Sequence, residues 1–164
     1  MDENLKQRVR RTCAANVYFL ALQFSKIFLL DLDYFKLIND EYGHGVGDKV
    51  LVEVATLLRV ALGRGYVFRV GGEEFALFSS FTSEGEALNA AEKIRTQVEN
   101  TNFNIDGLSI NITTSIGVAK FKSTNTLEDF VEQADKQLYK AKRFGRNKVY
   151  CKFKAESELD VATA

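Results

Sequence analysis

The spacing of apolar and polar positions divides the chain into elements. Asp2 to about Leu22 opens with charge, turns apolar and predicts a helix. Ile27 to Leu30 is short and continuously apolar, as in a strand covered on both faces, and it runs into Asp31-Leu32-Asp33. Tyr34 to Tyr42 predicts a short helix with Phe35 and Ile38 on its inner side. Gly43 to Gly47 reads as a turn. Asp48 is then the expected N-cap of a long amphipathic helix, with Val50, Leu51, Val54, Leu57, Leu58 and Ala61 at helical spacing and Gly63-Arg64-Gly65 as its stop.

Tyr66–Val70 and Phe75–Ser79 are strand-like runs around Gly71-Gly72-Glu73-Glu74, a hairpin signal. Ser83 to about Asn100 predicts a helix with Ala87, Ala90, Ala91, Ile94 and Val98 inside. Asp106-Gly107 turns a second hairpin between Phe103–Ile105 and one long strand, Leu108–Phe121. Leu127 to Phe144 predicts a helix closed by Gly145, and Asn147–Phe153 a last strand. This mixed order predicts an α+β fold around one largely antiparallel sheet. One domain is expected over residues 1–153, with an N-terminal helix over 1–22 and a frayed, disordered tail over 154–164.

Composition narrows the function classes. A chain of 164 residues buries roughly 70% of its extended surface on folding, enough for a core of its own. Lys plus Arg and Asp plus Glu each number 22, so the formal charge is zero. That argues against a nucleic-acid binder or an anionic-membrane binder. Cys13, Cys151 and a single His give neither a disulfide framework nor a zinc spacing. No run reaches the ~20 apolar residues of a bilayer span, and no signal peptide is visible. A cytoplasmic setting is expected.

The carboxylates are the candidate chemistry. Asp31 and Asp33 lie at a strand end, on one face by their i,i+2 spacing, and Glu73 and Glu74 lie in a hairpin turn. If those strands are neighbours, several acids converge and raise one another's pKa, a conflict that Mg²⁺ with phosphate oxygens would relieve. Solvated turn and cap acids are the equally open alternative. Gly43, Gly45 and Gly47 suit a phosphate approach or a simple turn, and no P-loop pattern is present. His44 alone suits packing or hydrogen bonding. Lys140, Lys142, Arg143, Arg146 and Lys148 suit either a helix C-terminus complementing its own dipole or a polyphosphate clamp.

Five stretches, Asp31–Asp40, Tyr42–Asp48, Arg69–Phe75, Ser115–Val118 and Tyr139–Asn147, match in order the motifs of the GGDEF family, the bacterial diguanylate cyclases. The resemblance runs from about Ile27 to Phe153. It implies a five-stranded sheet wrapped by helices, akin to the nucleotidyl cyclase and polymerase palm architecture. It also implies an enzyme of bacterial second-messenger signalling that joins two GTP molecules into cyclic di-GMP (c-di-GMP) and releases two pyrophosphates.

The same resemblance implies roles for individual residues. Asp31 and the Leu32 backbone carbonyl would ligate Mg²⁺, or Mn²⁺. Glu73 would be a further metal ligand and the group that deprotonates the attacking hydroxyl. Glu74 would stand by the second metal and the phosphates. Phe35 and Lys36 would offer backbone amides to the β- and γ-phosphates. Asn39 and Asp48 would read the guanine edge, and His44 would line the substrate site. Gly71 and Gly72 would leave room for the nucleotide, and Lys142 and Arg146 would hold the triphosphate. Asp33 would be supportive. One domain holds one GTP, so a homodimer is implied for catalysis, with an upstream sensor or regulatory domain in the full-length protein.

Two departures from the family pattern qualify this. The inhibitory Arg-x-x-Asp motif falls on Leu62-Gly63-Arg64-Gly65 and lacks its acid, so no product-inhibition site is expected. The usual Asp-x-Leu-Thr-x-Leu-x-Asn-Arg start is not found, with Arg10-Arg11 its nearest remnant, so this region is either trimmed or divergent. A non-catalytic GTP-binding module is the rival reading, and a c-di-GMP receptor is disfavoured by Leu62 and Gly65.

Overall fold

In the computed structural model, residues 25–121 and 126–152 are described. The expected helix over 1–22, the tail over 154–164 and Phe153 lie outside them. The elements are β1 (Lys26–Leu32), α1 (Phe35–Tyr42), α2 (His44–Leu62), β2 (Tyr66–Gly71), β3 (Glu74–Ser79), α3 (Glu84–Asn100), β4 (Phe103–Ile105), β5 (Leu108–Ile110), β6 (Thr114–Lys120), α4 (Leu127–Arg143) and β7 (Val149–Cys151).

β1 is central, and all seven of its residues are buried. Five strands form one sheet in the order β2-β3-β1-β6-β7, antiparallel except for β6 with β7. Alternation then sorts the β1 side chains between two cores. Phe28, Leu30 and Leu32 pack with the inner faces of α1, α2 and α3, and Ile27 and Leu29 pack with Phe130, Val131, Ala134 and Leu138 of α4. The fold is therefore the α+β, helix-wrapped five-stranded sheet that the sequence predicts.

Three boundaries differ from the sequence reading. The long helix begins at His44, with Gly43 (φ 83°) as its N-cap, so Asp48 is not the cap but lies one turn inside α2. The Gly47 amide already donates to the Gly43 carbonyl at 3.2 Å, and this makes the Gly43–Gly47 stretch the first helical turn instead of a loop. The strand expected over Leu108–Phe121 is two strands. β5 pairs only with β4, and β6 joins the main sheet. The switch occurs where Asp33 N–H donates to the Thr113 carbonyl and the Thr113 hydroxyl donates to Asp33 Oδ2. The last strand is confined, among the described residues, to Val149–Cys151.

Candidate active site

The β1–β3 register places Asp31 opposite Glu74, so directly opposed residues put both carboxylates on one face at one end of the sheet. Glu73 is in the turn just before, and its carbonyl accepts the Leu32 N–H at 3.2 Å. The turn is braced by Arg69, whose Nε donates to the Gly72 carbonyl at 3.0 Å next to a register shift between Arg69 and Gly71. Nothing lies within 4 Å of where a Cβ on Gly72 would stand, so the space over the turn is open. The sequence pattern assigns Arg69 no such role, although a basic side chain three residues before a turn carbonyl is within reach of it.

Asp31 is buried, and burial is the main cause that pushes its carboxyl above the ordinary aspartate range. The nearby charges of Glu73 and Asp33 push the same way, while the Lys142 ammonium, 2.7 Å from Asp31 Oδ2, pulls it back. Lys142 comes from the last turn of α4, so the basic run reaches across to the carboxylates instead of only capping its own helix. Arg146 stands on Tyr34, with its guanidinium carbon 4.5 Å from the ring centroid and Nη1 donating to the Tyr34 hydroxyl at 3.2 Å.

Asp33 is held differently. It is buried and accepts from Thr113 Oγ1 (2.7 Å), Ser115 Oγ (2.7 Å) and the Asn147 N–H (3.0 Å). With its oxygens so engaged, it ties the ends of β1 and β6 to the loop after α4.

On the other face of the sheet, α1 starts at Phe35 behind Tyr34, a left-handed residue that makes no side-chain cap. The first amides of α1, those of Phe35 and Lys36, therefore receive no cap from Tyr34 and sit at the positive end of a helix. The Lys36 ammonium pairs with Asp40 at 3.2 Å. Asn39 is half-buried with its amide against Gly47 of α2, and Asp48 follows at the exposed surface. His44 is exposed at the first position of α2. The fold thus gathers Asp31, Glu73, Glu74 and Lys142 at one end of the sheet, and Asn39 and Asp48 on the adjoining helices.

Whether a divalent ion suits this site turns on the donors. Among the described residues no three His, Cys, Asp or Glu side chains form a ready cation cage. A buried carboxylate with raised pKa beside further acids fits instead an ion that takes one or two carboxylates and completes its shell with phosphate and water. Asp31 and Glu73, with Glu74 nearby, are the residues that would hold it.

The family model described as "Diguanylate cyclase, GGDEF domain" matches residues 1–148. The chain belongs to the GGDEF domain family. A relative in Treponema denticola, Diguanylate cyclase A, is 43% identical over 125 residues, which are 75% of this chain and 34% of that protein. The chain thus spans about a third of the length of that curated relative. Among solved structures, the active GGEEF domain of a diguanylate cyclase from Vibrio cholerae matches with a TM-score of 0.73 and 32% identity, over 87% of this chain and 92% of that one. The GGDEF domain of DgcB from Caulobacter crescentus, in complex with c-di-GMP, matches with a TM-score of 0.72 and 32% identity, over 88% of this chain and 86% of that one.

Proposed function

We propose that this GGDEF domain condenses two GTP molecules into c-di-GMP with release of two pyrophosphates, using Mg²⁺ or Mn²⁺, at the interface of a homodimer. The observation that carries the reading is the buried Asp31 carboxylate in register with Glu74, beside the Glu73 turn and answered by Lys142.

The 3′-hydroxyl of one GTP attacks the α-phosphorus of the other, the P–O bond to pyrophosphate breaks, and the hydroxyl proton leaves to a base. Glu73 is assigned as that base, at the turn nearest the metal-binding acids. Asp31, the Leu32 carbonyl, Glu73 and Glu74 would hold the divalent ion, which would supply charge neutralisation at the phosphates. Lys142 and Arg146 bear on the triphosphate from α4 and the loop after it, and the Phe35 and Lys36 amides meet its β- and γ-oxygens at the start of α1. Gly71 and Gly72 keep the turn clear for the nucleotide. Asn39 and Asp48, with His44 beside them, line the base pocket. Guanine offers N1–H and the exocyclic amine together, a donor pair that adenine lacks, so adenine would leave a carboxylate unpaired.

Each domain presents one nucleotide, so two domains must face each other. The catalytic unit is assigned to residues 1–153 and 154–164 to a tail. An upstream sensor or regulatory domain and a cytoplasmic setting belong to the same proposal. Among the described residues no helix is long and apolar enough to cross a membrane. The domain is also proposed to lack the Arg-x-x-Asp inhibitory site at Leu62–Gly65.

The test is incubation with GTP and Mg²⁺ at rising protein concentration, with c-di-GMP measured by chromatography. Product formation steeper than linear in protein supports the reading, and Glu73→Ala should stop turnover while GTP still binds. GTP binding without product, even in a covalently linked dimer, would favour the non-catalytic module instead.

A further inference from the structure

The loop that follows α4 carries an arrangement the proposed chemistry does not explain. Arg146 (φ 60°) and Asn147 (φ 46°) are consecutive non-glycine residues in the left-handed region. Such a pair persists only where its surroundings over-determine it.

Asn147 is held from three sides. Its N–H donates to Asp33 Oδ2 at 3.0 Å. Its Oδ1 accepts from Arg95 Nη1 at 2.8 Å, and its Nδ2 donates to Glu99 Oε1 at 2.6 Å. Arg95 in turn donates to Glu99 at 2.7 Å and to Glu92 at 2.9 Å. The contacts of Asn147 therefore join the end of β1, two residues beyond Asp31, to the outer turns of α3. Its neighbour Arg146, whose N–H is fixed on the Ala141 carbonyl at 3.0 Å, is left with its guanidinium over Tyr34, directly before the first amides of α1.

We infer that Asn147 is a positioning residue for phosphate recognition: clamped by Asp33, Arg95 and Glu99, it fixes the left-handed turn that aims Arg146 at the start of α1. The inference rests on the proposed reading of the site as one that binds GTP with Arg146 on the triphosphate. It adds a requirement outside the nucleotide contacts, in a side chain of the loop and two of α3. A purely structural bolt would support the fold without distinguishing one guanine nucleotide from another. A positioning residue for Arg146 should matter only for ligands that carry the outer phosphates.

The test compares the affinity of GMP with that of GTP carrying a methylene between its α- and β-phosphorus atoms, which cannot be cleaved there, by calorimetry with Mg²⁺ present. Asn147→Gly keeps the left-handed backbone accessible and deletes the clamped amide. It should weaken the triphosphate analogue about tenfold and leave GMP within about twofold, the same pattern as Arg146→Ala. The double variant should bind the analogue no more weakly than Arg146→Ala alone, because both changes remove one contribution. Glu99→Gln, at the exposed end of the clamp, should shift the analogue in the same direction by less, without loss of folding.

Equal weakening of both ligands by Asn147→Gly, or losses that add with Arg146→Ala, would make Asn147 structural only and overturn the inference. A parent protein that prefers the analogue while Asn147→Gly keeps that preference overturns the inference alone. A parent protein with no preference for the analogue over GMP overturns the reading of the site, and this assignment with it.

Discussion

Lys142 Nζ lies 2.7 Å from Asp31 Oδ2, so an ammonium from the end of α4 neutralises the buried carboxylate at the end of β1. Burial raises the pKa of Asp31 above the ordinary range, Glu73 and Asp33 add to the rise, and Lys142 opposes it. A group with a raised folded pKa contributes stability that is present in full below its unfolded pKa, about 4, and is lost as pH rises through the folded value. In metal-free buffer the melting temperature of Asp31→Asn, measured against the parent, should therefore improve as pH rises from below 4 towards neutrality. A gap that moves the other way with pH would contradict the account of Asp31.

Removing the ammonium instead of the carboxylate has a different signature. Lys142→Met leaves a buried carboxylate without its cation. Because Lys142 is about one-third exposed, the expected loss is discounted to about 1–2 kcal/mol. On the proposed reading a divalent ion at Asp31 would replace the missing charge, so added Mg²⁺ should raise the melting temperature of the variant more than that of the parent. Thermal melts with and without Mg²⁺ check this, and equal shifts would show that the ion does not bind at Asp31.

The parts legible in the sequence were those set by local pattern. The apolar run before Asp31, the two strands around Gly71–Glu74 and the inner face of α3 follow from spacing alone, but spacing leaves open whether those strands are neighbours, and only the β1–β3 register brings the acids together. The start of α2 is not legible in the sequence because Asp48 has the chemistry of a cap, whereas Gly43 supplies the positive φ that precedes the helix. The break between β5 and β6 depends on Thr113 meeting Asp33, 80 residues away in sequence, and no window along the chain contains both. Arg95 and Glu99 have the i,i+4 spacing of an ordinary surface pair. Their second partner, Asn147, is visible only in three dimensions.

Gly47 gives a prediction about base selectivity. A Cβ there would collide with Asn39 Oδ1 and stand 3.2 Å from Phe35 Cζ. The collision is with the end of a flexible side chain, so Gly47→Ala should fold, at a cost of about 1 kcal/mol, by turning the Asn39 amide away. If Asn39 reads the guanine edge, GTP affinity should fall about tenfold, ATP affinity should stay unchanged and the ratio between them should shrink. Calorimetric titration of both nucleotides measures this, and an unchanged ratio would separate Asn39 from base recognition.

The turn before β2 bears on feedback. On the proposed reading Gly65 would stand where the family's Arg-x-x-Asp motif has its acid; it lies at φ 133°, where a Cβ would collide with the Phe78 carbonyl oxygen. That obstacle is backbone of β3, and the turn is further fixed by Ser79 Oγ donating to the Arg64 carbonyl at 2.6 Å. Leu62→Arg with Gly65→Asp would thus restore the motif in sequence but not in space, since the acid can enter only by displacing the turn. The double variant should lose about 2–3 kcal/mol of stability through positive φ and steric conflict. Added c-di-GMP should leave the initial rates of both parent and variant unchanged. Inhibition of the variant at an unaltered melting temperature would show that the turn accepts an acid after all, and inhibition of the parent would place a product site elsewhere on the domain.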